Sequence, residues 1–165
     1  QRRQTTTTLS PTAVAGQYFL RIVAPVNCAG EQLNAAGDRA ANFPDDPNAS
    51  GTKGGSDRWS YMQRDYFPFV VKYRDAVLSF ATALEVFTWP ASVQTYASEM
   101  ISVDLQIARI YDEEAQLRSF DEWNDYWSDK KDEVLGLYNR GSSLASEIRA
   151  LLGLPSNIGA TGSAC

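Results

Sequence analysis

Residues 59–87 run WSYMQRDYFPFVVKYRDAVLSFATALEVF, and this stretch decides the fold. Trp59, Met62, Tyr66, Phe69, Tyr73, Ala76, Phe80, Ala83 and Phe87 recur in alternating steps of three and four. That spacing lays an aromatic and aliphatic stripe along one face of a long helix, which has to be buried against other elements. Ser56 stands where a helix cap is expected. Pro68 lies inside the run and predicts a kink, because it has no N–H to give and its ring crowds the preceding turn. Thr88-Trp89-Pro90 ends the helix and opens the next.

The segments on either side carry the same period. Ser10-Pro11 is a helix start, a capping residue followed by proline at the first helical position. Ala15, Tyr18, Ile22, Val26, Ala29 and Leu33 form one face of a first helix, with a kink expected at Pro25 and a stop at Gly37. After Pro90, the face of a third helix consists of Val93, Tyr96, Met100, Val103, Ile107, Ile110 and Leu117, and Glu114 interrupts it with a carboxylate. Ser119-Phe120-Asp121-Glu122 is a capping box. A fourth helix follows with Phe120, Trp123, Trp127, Val134, Leu137, Gly141, Leu144, Ile148 and Leu151, and it ends at Gly153 and Pro155. No strand pattern competes. The short connections make neighbouring helices antiparallel. The expected fold is therefore all-α, an antiparallel four-helix bundle with proline kinks in its first two helices. It occupies residues 10–155, between a flexible Thr-rich tether (1–9) and a C-terminal tail (156–165).

Composition mainly excludes. The chain has 165 residues, a hydrophobic content of 44% and a net charge of -5, which fits one globular domain and disfavours nucleic acid as a partner. Histidine is absent, so Ser-His-Asp and Cys-His catalysis, His-ligated haem and the common zinc sites are excluded. No Walker loop, dinucleotide fingerprint, C-x-x-C or nucleophile elbow is present, and neither an enzyme nor a cofactor is expected. No stretch approaches the roughly 18 apolar residues of a membrane helix. The two cysteines, Cys28 inside the first helix and Cys165 at the last position, are expected to form a disulfide that pins the tail to that helix. Such a pair favours an extracytoplasmic location, and the Thr-rich opening segment fits the mature start of a secreted or lipid-anchored protein. Membrane association is expected only through such an anchor.

Four features are candidates for binding. Asp46, Asn48, Ser50, Thr52 and Asp57 follow the skeleton of an EF-hand calcium loop, although Lys53 stands where an apolar residue is usual and Asp57 replaces the bidentate glutamate. An ordinary polar loop uses the same residue types, and no metal site is assigned. Asn48-Ala49-Ser50 is also a glycosylation sequon. Asp121, Asp125 and Asp129 make the start of the fourth helix acidic; they suit a cationic partner, or a solvated face whose acids favour a helix N-terminus. Trp59, Trp89, Trp123 and Trp127, with eight tyrosines, are numerous for this length and could line a cleft, although most fall in step with the core. Trp89, at a helix junction, is either a staple or a contact residue.

Three short motifs carry a resemblance. Residues 18–27, YFLRIVAPVN, residues 89–94, WPASVQ, and residues 151–155, LLGLP, with the Ser119–Asn124 turn, resemble a group of uncharacterised exported proteins and lipoproteins of actinobacteria. The resemblance implies a signal peptide, often a lipid-bearing cysteine, and a helical bundle; it implies no activity. The expected function is that of an exported, non-catalytic binding or accessory protein of the cell envelope acting through a protein partner. A small-ligand carrier or sensor with an aromatic-lined cleft is the alternative.

Overall fold

The computed structural model describes residues 9–43, 53–156 and 165. All regular structure among them is helical: α1 (Pro11–Ala41), α2 (Lys53–Asp65), α3 (Phe67–Val86), α4 (Ala91–Glu114) and α5 (Phe120–Leu151). Asp46, Asn48, Ser50 and Thr52 of the calcium pattern, the sequon, nearly all of the tether and most of the tail lie outside the described residues.

The caps follow from local chemistry. The Ser10 hydroxyl accepts from the Ala13 N–H at 3.2 Å ahead of Pro11. The Ser119 hydroxyl accepts from the Glu122 N–H at 3.2 Å, and the Glu122 carboxylate reaches back to the Arg118 N–H at 2.8 Å. At the end of α5, Gly153 takes φ +68°. Its N–H donates to the Ala150 carbonyl and the Leu154 N–H to the Arg149 carbonyl, which closes a Schellman turn.

Two expectations need correction. The helix expected from Ser56 to Phe87 is two helices. It starts at Lys53 and divides at Tyr66, whose φ of -118° departs from the helical value. Pro68 has no N–H for the Arg64 carbonyl, so the break falls just before it and Pro68 sits in the first turn of α3, where a missing donor is harmless. Gly37 does not stop α1, which continues to Ala41. Ala36 and Ala40, 0% and 4% exposed, are packed in the core, and that burial outweighs the modest helix penalty of one glycine. Arg58 then donates to the Ala40 and Ala41 carbonyls at 3.0 Å and satisfies the last turn.

The four long helices pack on one another: α3 lies against α1 and α4, and α4 against α5, while the short α2 leans on α1, α3 and α5. The buried face of α3 is Val70, Tyr73, Val77, Phe80 and Leu84. It is turned slightly from the expected stripe, and Phe69, Ala76 and Phe87 are only partly buried beside it, because α3 has neighbours on two sides and needs a broad face. Phe19, absent from the expected stripe of the first helix, is 0% exposed. Trp89 belongs to the same aromatic knot. It packs edge-on against Tyr18, Phe19 and Phe87, and its indole N–H donates to the Leu84 carbonyl at 2.8 Å. The Tyr18 hydroxyl donates to the Ala83 carbonyl at 2.9 Å. Both bonds satisfy carbonyls that the end of α3 leaves open. Trp89, 5% exposed, therefore acts as a staple of the fold.

Cys28 and Cys165 form the expected disulfide, which ties the last residue of the chain to the middle of α1 across 137 positions. In the chain-entropy account a closed loop of that length restricts the unfolded chain by about 4–5 kcal/mol. Replacing both cysteines by serine is expected to lower the unfolding free energy by about 2–5 kcal/mol in a urea titration. Intact mass after alkylation, with and without prior reduction, checks that the bond is present in the starting protein.

Candidate functional site

The third-helix face was interrupted by one residue, Glu114, and the structure turns that exception into a centre. Glu114 is the last residue of α4, in step with Ile107, Ile110 and Tyr111, and it is 0% exposed. A buried carboxylate is tolerated only when donors surround it. Three converge on its Oε1: the Tyr66 hydroxyl, the Trp123 indole N–H and the Trp127 indole N–H, each at 2.8 Å. They come from the α2–α3 break and from the first two turns of α5. The Pro68 break positions Tyr66, the capping box starts α5, and the four-residue step from Trp123 to Trp127 puts both indoles on one face. The other oxygen, Oε2, is buried and has no protein partner.

These donors also line a cleft of about 330 Å³. Leu33, Asn34, Gly37 and Asp38 line it from α1, Trp123 and Trp127 from α5, with Tyr66 and Tyr111 between them. A smaller hollow of about 140 Å³ shares Gly37, Tyr66 and Trp123 and is bordered by Arg58. Gly37, expected only as a stop, lines both. A Cβ there would lie 3.8 Å from the Tyr66 ring, so the glycine leaves room over that ring without a backbone need for it.

Behind the cleft, α3, α4 and α5 bury a second polar group. The Tyr111 and Tyr138 hydroxyls hydrogen-bond each other, and the Tyr73 ring packs edge-on against Tyr111 with centroids 5.0 Å apart. Burial pushes all of these phenols up from their ordinary pKa. Asp104 of α4, 8% exposed, has a buried Oδ2 without a partner. Burial raises its pKa to about 7. Burial also raises that of Glu114, against the opposing pull of its donors from Trp123, Trp127 and Tyr66.

The remaining sequence candidates fall elsewhere. Asp57 is an exposed residue of α2, with its calcium-pattern companions outside the described residues. Asp121, Asp125 and Asp129 are exposed along one side of the start of α5, away from the cleft lining. Trp59 is core. Among the described residues no group of three or more Cys, Asp or Glu side chains is placed to hold a metal, and no helix is long and apolar enough to cross a membrane. No family model, curated protein or solved structure matches the chain.

The sequence signal for this site was the carboxylate in step with a core face. Asp104 carried a weaker version of it, one position past Val103. Neither was singled out as a site residue, because one polar residue on an apolar stripe ordinarily marks its edge.

Two outcomes follow from the burial. Glu114→Ala leaves one buried and two part-buried donors unpaired and is expected to cost roughly 2–4 kcal/mol, whereas Glu114→Gln keeps an acceptor and costs much less; urea titrations compare the two. Asp104 binds its proton more tightly folded than unfolded. Its contribution to stability is therefore complete below the unfolded pKa of about 4 and is lost as pH rises through about 7. Between about pH 5 and pH 8 the wild type is expected to lose about 2–3 kcal/mol that Asp104→Asn does not lose.

Proposed function

We propose that the chain is an extracytoplasmic, non-catalytic binding protein that takes a small ligand into the cleft between α1 and α5. The observation that carries this reading is the cleft itself: about 330 Å³, bordered by two indoles and two phenols, with a few polar groups at its edge. That is the size and chemistry of a small-molecule site. Among the described residues its lining includes a single carboxylate side chain, Asp38, and no nucleophile paired with a base, which supports binding rather than reaction. The disulfide supports an oxidising compartment. An origin among exported actinobacterial helical proteins belongs to the same proposal and rests on the three short motifs alone.

The antiparallel arrangement is also part of this reading. Contacts between α1 and α3 run in opposite senses along the two helices: Tyr18 with Ala83, Phe19 with Phe80, Gln32 with Lys72, and Gly37 beside Tyr66. Contacts between α4 and α5 do the same, from Glu114 with Trp123 to Glu99 with Arg140. A bend of α1 at Pro25 would follow from the hydrogen bond that proline cannot give. The protein-partner reading is weaker: Trp89 is buried, and it is left with Asp121, Asp125 and Asp129 on a solvated helix.

Native mass spectrometry of the protein after incubation with a metabolite extract tests the reading, with tryptophan fluorescence followed in parallel. A small-mass adduct and a change in emission are expected. Gly37→Leu, which fills the cleft from α1, should remove both while leaving the melting transition within a few degrees. An extract that yields no adduct, or an adduct that Gly37→Leu leaves intact, would sink the proposal.

A further inference from the structure

Resting on that reading, we infer that the ligand of the cleft is a small organic cation, an alkylated ammonium held by cation–π contact. The charge inventory comes first. Among the described residues Asp38 is the one charged side chain that lines the cleft, and no lysine or arginine does; Glu114 is buried immediately behind Tyr66, Trp123 and Trp127. Arg58, which borders the neighbouring hollow, is engaged with the Ala40 and Ala41 carbonyls and stands 5.1 Å from the Phe120 ring centroid. An anionic ligand would meet the Asp38 carboxylate and, among the described lining residues, no counter-charge, so the cleft disfavours it.

The aromatic lining then selects among cations. A metal ion or a primary ammonium needs several oxygen acceptors at close range. The cleft instead offers the half-buried Trp123 and Trp127 indoles, backed by the buried Tyr66 and Tyr111, with Asp38 and Asn34 as the polar side chains besides the phenols. An alkylated ammonium spreads its charge over methyl groups and is held by aromatic faces, tryptophan best of all. The hydrogen bonds to Glu114 strengthen that attraction. An indole that donates its N–H to a carboxylate is polarised toward its ring, and both indoles of the cleft do so to the same oxygen. Glu114 thus has a reason for its placement: it orients two tryptophans through their edges without touching the ligand.

The test titrates choline, tetramethylammonium and benzyltrimethylammonium into the full chain with its disulfide intact, following tryptophan emission and heat of binding. 3,3-Dimethylbutan-1-ol, the uncharged isostere of choline, serves as the control. At least one of the cations is expected to bind, and choline at least tenfold more tightly than the alcohol. Asp38→Asn, on an exposed position, should weaken cation binding about three- to tenfold and leave the alcohol unchanged. Glu114→Gln should do the same where it folds; Asp38→Asn does not depend on that outcome. Equal binding of the alcohol and choline would overturn the cation inference and leave a small-ligand cleft standing. Absence of binding by all three cations at about 10 mM overturns the inference as well. Failure of the small-ligand reading itself is seen separately, in the extract experiment with Gly37→Leu.

Discussion

The bundle is organised around one buried carboxyl group that accepts three hydrogen bonds. Glu114 Oε1 gathers hydrogen bonds from three side chains that belong to different parts of the chain, Tyr66 at the α2–α3 break and Trp123 and Trp127 on α5. Hydrophobic burial alone would let α5 slide or rotate against α4 at small cost, because Leu, Ile and Val contacts are interchangeable. A carboxylate with three directed donors is not interchangeable, since any other register leaves polar groups buried and unpaired. The connection from α4 to α5, the capping box at Ser119 and the break at Pro68 are the local features that bring those donors within 2.8 Å of one atom.

The same arrangement spends stability. Three donors on Oε1 leave Oε2 without any, and Asp104 has a second unpartnered oxygen in the same helix. Each such atom costs on the order of 1–3 kcal/mol relative to a satisfied or apolar neighbour. The chain offsets this elsewhere. At the far end, Trp89, Tyr18, Phe19 and Phe87 form an aromatic knot whose two polar edges satisfy the open carbonyls of α3. Across the middle, the disulfide joins α1 to the last residue. A strongly fastened half and a cleft-bearing half thus coexist in one domain, which is what the proposed binding role would require.

How much of this was legible depended on the range of the signal. Helix identity, the Ser10 and Ser119 caps and the stop at Gly153 are written in neighbouring residues, and the structure follows them. The disulfide was legible for a different reason: a cysteine at the end of a polar tail has few other roles. The division at Tyr66 was visible as Pro68 but misjudged in degree, because whether a proline bends or breaks a helix depends on what packs on either side. Gly37 was misread because its local preference was overridden by the burial of Ala36 and Ala40. Trp89 was ambiguous, since Phe87 beside it in the helix junction is local but its other two ring partners, Tyr18 and Phe19, come from the first helix. The site was the least legible. Its parts, Tyr66, Glu114, Trp123 and Trp127, all sat on stripes that pattern analysis assigns to the core, and only the convergence of those stripes in space separates a core tryptophan from one that lines a cleft.

That convergence bears on how the cleft can recognise anything. A ligand gains most when the groups that meet it are already in place. On one side, both indoles are fixed by bonds to a buried carboxylate. On the other, the α1 segment carrying Leu33, Asn34, Gly37 and Asp38 lies between two anchors. Cys28 is tied through the disulfide, and the Ala40 and Ala41 carbonyls are held by Arg58. The segment also joins α3 through Gln32, which accepts from Lys72 at 2.6 Å. The break at Pro68 falls at Tyr66, so the irregular backbone and the ring that meets Glu114 sit at the same position. The irregularities of this bundle, a broken helix, a glycine inside α1 and a carboxylate on a core face, therefore meet at one place, and that place is the cleft.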